Sequence, residues 1–265
     1  MDKNLIWDVV SEGTRSDLVL AVDYSVNGRH EAGFADLAAK LSPTRTIWET
    51  LAPPVGEEAG MTGDAYVARW VDAIKASGRE VGAVLGYCAS SAFASAIGEG
   101  VAAFQATPPK IVLFDPTPAT AFTILHFGFF KVIDSLSSAL SEEDVTKVQK
   151  EGWEAAARNN DDLATFRDEI VEIYRRIGDK AFARIGLNAH LGEQLVAWFR
   201  GYVTYLIAAG EFAGGFDLSQ TSIICSSALE EPPGEVLQEL RFDVDHADLL
   251  RNEDVAAALS KLLLS

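Results

Sequence analysis

Short apolar runs alternate with amphipathic stretches through the first half of the chain. Leu18 to Asp23 (LVLAVD), Thr46 to Leu51, Val81 to Leu85 (VGAVL) and Ile111 to Asp115 (IVLFD) are brief and rich in β-branched or aromatic side chains, as strands buried on both faces are. Between them, Glu31 to Leu41, Thr62 to Ser77 and Ala89 to Phe104 repeat apolar residues at helical spacing. Strand, helix, strand in repetition predicts a mostly parallel sheet with helices on both faces. The rhythm stops at Asp115-Pro116-Thr117-Pro118. From there to about Phe216 the pattern is helical, opening on the apolar FTILHFGFF of Phe122 to Phe130; Ser141-Glu142-Glu143-Asp144 reads as a helix start with acids in its first turn. Strand-like runs return at Ser222 to Cys225 (SIIC) and Leu240 to Val244 (LRFDV), and Glu253 to Leu263 ends the chain as a helix. The expected organisation is a core of residues 1–116 and 217–265 with a helical lid, 117–216, inserted into it.

Composition narrows the class. With 265 residues, 48% hydrophobic and 23% charged, the chain has the make-up of a folded protein with a substantial core. Its 22 Lys+Arg against 39 Asp+Glu give a net charge of −17, and no basic run offsets it, which argues against nucleic acid as a partner. Two cysteines, Cys88 and Cys225, make neither a disulfide framework nor a cysteine-based zinc site, and no metal or cofactor is expected. The start, MDKNLIWDVV, lacks a basic and then apolar signal region, and no run reaches the ~18 apolar residues of a spanning helix. A cytoplasmic protein with no membrane association is expected.

Chemistry concentrates in VGAVLGYCASSAFASAIGEG, residues 81–100, where a buried strand runs into Gly86-Tyr87-Cys88-Ala89-Ser90 and then a helix of small residues. This resembles the GxSxG nucleophile elbow of α/β-hydrolases with cysteine in the nucleophile position and Ser90 replacing the second glycine. A sharp strand-to-helix turn strains the nucleophile's backbone, so its neighbours must be small, as Gly86, Ala89, Ser90 and Ser91 are. The helix that follows favours a thiolate through its N-terminal dipole. Asp115 ends the next strand, and His246, in Asp243-Val244-Asp245-His246-Ala247-Asp248, lies between the last strand and the last helix. All three fall at carboxyl ends of strands, where open α/β sheets carry their sites. His246 would take the Cys88 proton and Asp115 would orient the imidazole. The backbone N–H of Ala89, with a second donor from Ser25 or Val26 after the Leu18–Asp23 strand, would form the oxyanion hole. Glu230, after the SIIC strand, is the rival acid. Cys225 reads as core, Asp245 and Asp248 as solvated charge, and His30, His126 and His190 as surface or packing residues, with His190 an outside candidate for substrate contact.

With Cys88, Asp115 and His246 in chain order nucleophile, acid, histidine, the whole chain resembles the thioesterase-type α/β-hydrolases of polyketide and nonribosomal-peptide pathways. The resemblance implies a helical lid after the acid's strand, and the D-H-A-D-L-L segment is similar to that family's histidine loop. Two departures stand out: the family's usual nucleophile is serine, and Asp23-Tyr24-Ser25-Val26-Asn27-Gly28 replaces the Pro-Pro-x-Gly-Gly-like oxyanion loop of editing thioesterases. A discrete chain with a Cys-Asp-His set is more similar to the Dieckmann cyclases that release tetramic acids or pyridones. That resemblance implies a β-ketoacyl-aminoacyl thioester passed from the phosphopantetheine of a carrier protein to Cys88, with Phe122, Phe127 and Phe130 contacting an apolar tail. A hydrolytic editing thioesterase and a non-catalytic binder of hydrophobic ligands are the alternatives. Residues 117–216 hold 10 Lys+Arg and 14 Asp+Glu, a milder imbalance than the rest, so an acidic carrier is expected on the lid side, near Arg158, Arg167, Arg175, Arg176, Lys180 and Arg184.

Overall fold

The computed structural model describes residues 6–24, 30–212, 218–229, 231–232 and 234–264. It divides into two compact units: Met1–Ala52, Thr62–Pro118 and Phe212–Ser265 form one, Pro53–Met61 and Ala119–Glu211 the other.

The first unit is built on strands β1 (Trp7–Ser11), β2 (Leu18–Val22), β3 (Thr46–Thr50), β4 (Val81–Tyr87), β5 (Lys110–Phe114), β6 (Thr221–Cys225) and β7 (Gln238–Arg241). They form one sheet in the order β1-β3-β2-β4-β5-β6-β7, with β1 antiparallel to β3 and every other pair parallel. Every residue of β2 and β6 is buried, which is why LVLAV reads as an unbroken apolar run and β6 carries Ile223, Ile224 and Cys225 after its buried Thr221 and Ser222. Alternate side chains sort to the two faces. Val19, Ala21, Ala83, Leu85, Tyr87, Val112, Phe114 and Ile224 share a core with α1 (Phe34–Ala38) and α9 (Glu253–Leu262). Gly86 turns instead toward α3 (Ser91–Ala102), which packs on α2 (Gly63–Ser77) through Trp70 and Phe93, ring centroids 5.2 Å apart.

The helices begin where their caps dictate. Thr62 accepts from the Ala65 N–H to start α2, and Asn252 accepts from Asp254 and Val255 to start α9. The expected helix Glu31 to Leu41 is shorter, because its N-cap Gly33 is extended and its amide is held by the Asp36 carboxylate. The last strand lies two to three residues earlier than LRFDV suggests. As an edge strand whose Gln238, Glu239 and Arg241 face solvent, β7 has little apolar signature. Strand β1 carries no continuous apolar run either, being half exposed at the opposite edge.

The second unit is helical: α4 (Ala121–Thr123), a π-helical segment (Ile124–Phe129), α5 (Phe130–Ser135), α6 (Glu142–Arg158), α7 (Leu163–Arg184) and α8 (Ala189–Gly210). Ser141 caps α6 in a reciprocal box with Asp144, as the Ser-Glu-Glu-Asp start predicts. Phe129, Tyr174 and Phe199 meet at its centre, the last two 4.5 Å apart. No helix among the described residues is long and apolar enough to cross a membrane.

Candidate active site

β4, β5 and β6 are neighbours in the sheet, so their carboxyl ends open side by side. β4 runs through Tyr87 into Cys88, whose φ of 51° lies in the left-handed region; Asp115, the residue after β5, has φ 44°. These are the two non-glycine residues with positive φ among the described residues. Such a backbone costs an L-residue on the order of 1–3 kcal/mol and persists only where its surroundings enforce it. At Cys88 the enforcement is steric. A Cβ on Gly86 would lie 2.6 Å from the Ala94 Cβ and 2.7 Å from the Ser91 Cα, so only glycine lets β4 approach the first turn of α3. The Cys88 side chain is half-buried, and the following Cys88–Ser90 segment is a 3-10 turn leading directly into α3.

Asp115 is buried and saturated with donors. Its Oδ1 accepts from the Ser226 N–H at 2.7 Å, and its Oδ2 accepts from the Ser226 hydroxyl at 2.5 Å. The same Oδ2 lies 2.7 Å from Nδ1 of His246, and its own amide donates to the Ile224 carbonyl at 3.0 Å. With Nδ1 engaged by the carboxylate, Nε2 is the ring nitrogen left for the nearby Cys88 thiol. His246 opens a 3-10 turn, His246–Arg251, that leads into α9. Burial opposes charge on this imidazole. The hydrogen bonds to Asp115 and Cys88 and the charges of both outweigh that cost, so the imidazolium is pushed up to about 9. Cys88, Asp115 and His246, distant in sequence, thus come to one place, with a direct side-chain bond between Asp115 and His246.

Two contributors lack a signal as strong as the motif. Tyr87 stacks on the His246 ring, centroids 4.8 Å apart and planes 14° from parallel, and its hydroxyl donates to the His246 carbonyl at 2.9 Å. Ser226 directly follows β6, and the Phe114–Ile224 register sets it beside Asp115. A polar residue ending a fully buried strand was the clue available, but Glu230 draws the attention at that end of the sheet.

Other sequence candidates fall as follows. Ser25, Val26 and Glu230 lie outside the described residues. At the end of β2, Asp23 exchanges hydrogen bonds with the Thr50 hydroxyl and takes the Tyr24 amide on its own carboxylate. Cys225 is fully buried in β6, and burial pushes its thiol up to about 11. Asp245 is exposed, and Asp248 pairs with Arg251 at 3.4 Å. His30 and His190 are exposed, the latter bonded to Gln194. In the helical unit, His126 sits exposed among Phe122, Phe127 and Phe130. Phe122 and Phe127 are exposed, whereas Phe130 is buried against Phe129 and Trp153. All six cations considered for docking already have partners: Arg158 with Glu169, Arg167 with Asp168, Arg175 with Glu193, Arg176 with Glu151, and Lys180 and Arg184 with Asp144.

No protein-family model and no curated protein matches the sequence. Solved structures do. The chain is similar to the four-domain nonribosomal peptide synthetase holo-AB3403 bound to AMP and glycine, at 13% identity and a TM-score of 0.58 over 97% of this chain. It spans only 20% of that synthetase. It is also similar to the Vlm2 thioesterase domain with a genetically encoded 2,3-diaminopropionic acid, bound with a dodecadepsipeptide, at 15% identity and a TM-score of 0.54 over 96% of each chain. A third is the NocB thioesterase domain in covalent complex with a fluorophosphonate nocardicin G analog, at 13% identity and a TM-score of 0.53 over 98% of this chain and 99% of that one. The mostly parallel sheet, its flanking helices and these likenesses define the α/β-hydrolase fold. The same fold is seen in the Vlm2 and NocB thioesterase domains.

Proposed function

We propose that the protein is a thioesterase-like acyl-transfer enzyme that works through Cys88, His246 and Asp115, and specifically a Dieckmann cyclase. The observation that carries this reading is a thiol, not a hydroxyl, on a positive-φ turn beside an imidazole held by a buried carboxylate. An imidazolium that keeps its proton to about pH 9 is the natural partner of a thiolate. In the first step the Cys88 Sγ attacks the thioester carbonyl of a β-ketoacyl-aminoacyl chain on a carrier protein's phosphopantetheine. The carbon–sulfur bond to the pantetheine breaks, and its thiol leaves with the proton from His246. The acyl group stays a thioester, a better electrophile toward carbon than the oxoester a serine would form. His246, now neutral, removes a proton from the carbon between the two carbonyls. The carbanion attacks the Cys88 thioester, the ring closes as a tetramic acid or pyridone, and the Cys88 thiolate departs beside a recharged His246.

The N–H of Ala89, which directly follows the nucleophile at the start of the turn into α3, is the first oxyanion donor in this scheme. The second donor is assigned to Ser25 or its neighbour. Tail contacts are assigned to Phe122 and Phe127, whose rings are exposed on the helical unit, and to Phe130, buried beside His126 and Trp153.

Incubation with a synthetic β-ketoacyl-aminoacyl pantetheine thioester, read by mass spectrometry, tests the proposal. A cyclised product is expected, lost in Cys88→Ala and at most weak in Cys88→Ser. Free acid as the dominant product of fully active protein overturns cyclisation in favour of hydrolysis. Unchanged substrate with folded protein overturns the enzyme reading.

A further inference from the structure

Within the same unit, the residue just before the nucleophile touches the histidine twice. Tyr87 is buried at the end of β4, its ring lies flat on the imidazole of His246, and its hydroxyl reaches the backbone carbonyl of that same residue. The turn that carries His246 lies between the edge strand β7 and α9; its residues from Arg241 to Asp248 are exposed or half-exposed, and its backbone is held by the Ser227 N–H on the Val244 carbonyl at 3.0 Å and the Ala32 N–H on the Ala247 carbonyl at 2.8 Å. A ring approaching from β4 adds to these a direct contact with the imidazole itself, made by the strand that leads into the nucleophile.

We propose that Tyr87 is a positioning residue that clamps His246 to the nucleophile turn and favours the charged form of its ring through the aromatic face. The proposal rests on His246 serving Cys88, and is indifferent to whether carbon or water accepts the acyl group. The face of an aromatic ring is negative, and a cation held against it gains about 0.5–1 kcal/mol or more as water is removed. Asp115 engages the edge of the imidazole and fixes its rotation in plane, while stacking with Tyr87 fixes its tilt. The hydroxyl bond at 2.9 Å sets the height of the loop. Nε2 is thereby held toward Sγ. The charged and titratable groups facing His246 are Asp115 from β5, Cys88 from β4 and the Tyr87 phenol. Asp243, Asp245 and Asp248 flank it on its own segment, Asp248 being paired with Arg251.

The two contacts separate by substitution. Tyr87→Phe keeps the ring face and removes the hydroxyl bond; replacement by 3,5-difluoro- and then pentafluorophenylalanine keeps the shape and progressively reverses the potential of the face. Three quantities are read: the titration midpoint of the His246 ring by NMR, the alkylation rate of Cys88 by iodoacetamide at pH 7, and kcat and KM for a pantetheine thioester. In Tyr87→Phe the midpoint should stay near that of the native protein while kcat falls about five- to ten-fold with KM unchanged, the loss of one positioning hydrogen bond. Along the fluorinated series the midpoint should fall stepwise, by about half a pH unit at pentafluorophenylalanine, and alkylation should slow with it. A ring that merely fills space would leave all three fluorinated and unfluorinated variants alike. Identical midpoints across the series, or kcat within two-fold of native in Tyr87→Phe, overturn the proposal. The difluoro variant carries the test should pentafluorophenylalanine not be accommodated. A fluorine-dependent alkylation rate in a protein that makes no ring product leaves this proposal standing while the cyclase reading falls.

Discussion

His246 links charge to stability. In the unfolded chain its imidazole titrates near the ordinary 6.5; in the fold it titrates at about 9 because the hydrogen bonds and charges of Asp115 and Cys88 outweigh the cost of burial. Below about pH 6.5 both states hold the proton and the extra stability is fully present. Between 6.5 and 9 only the folded state holds it, so that stability declines as pH rises and is gone above 9. Asp115→Asn removes the charge that holds the proton. Urea unfolding at pH 6, 8 and 10 should then find the native protein ahead of the variant by the widest margin at pH 6, with the gap narrowing by pH 10. A gap independent of pH would mean that Asp115 acts on the fold alone. Turnover in the same variant should drop by about two to four orders of magnitude, since an amide in that position no longer stabilises the charged ring. The Ser226 N–H can still donate to the asparagine oxygen and the Ser226 hydroxyl can turn to accept from its NH2, so the side chain stays in place and the loss reports on the missing charge and acceptor at His246 Nδ1.

At the level of elements, the site is produced by the collision of one strand with one helix. β4 can deliver Cys88 at φ 51° only because Gly86 leaves room for the first turn of α3. Gly86→Ala sets a Cβ against the Ser91 backbone and should cost about 1–3 kcal/mol in denaturation while slowing Cys88 alkylation. Gly98→Ala, deeper in α3, meets only the flexible tip of Ile111 and regains helix propensity, and should cost less. Equal costs at the two positions would contradict the steric account of the turn. This junction was legible in the sequence, because close packing leaves a compositional trace in Gly86, Ala89, Ser90 and Ser91. So were β2, β4, β5 and β6, whose burial on both faces makes them largely apolar. The edges were not. β1 and β7 are stabilised by pairing on one side, keep polar residues on the other, and lack a hydropathy signal. Tyr87 and Ser226 escaped for a different reason: an aromatic in a strand and a serine after one are common residues, and only the tertiary contact with His246 or Asp115 gives them meaning.

Charge acts at the level of the whole molecule. The net −17 is carried mostly outside residues 117–216, and within that span the six cations expected to attract an acidic carrier are each paired with a carboxylate of the same unit. A cation already paired at the surface contributes little field beyond the pair, and a Debye length of about 10 Å at 0.1 M salt screens what is left. The remaining long-range force between this protein and an acidic carrier is repulsion. Salt should therefore help: raising NaCl from about 50 to 300 mM is expected to increase kcat/KM for a carrier-bound thioester several-fold, by weakening that repulsion. The same change should leave kcat/KM for the small pantetheine thioester nearly flat, which separates docking from chemistry. A fall in the carrier-bound rate with added salt would instead mean that attraction dominates, and that the Arg and Lys pairs open to receive the carrier. In that case Arg176→Ala and Arg158→Ala should each raise KM for the carrier-bound substrate at low and high salt alike, by removing a docking contact; under repulsion each adds one unit to a net charge of −17, a small effect that should vanish at about 300 mM NaCl.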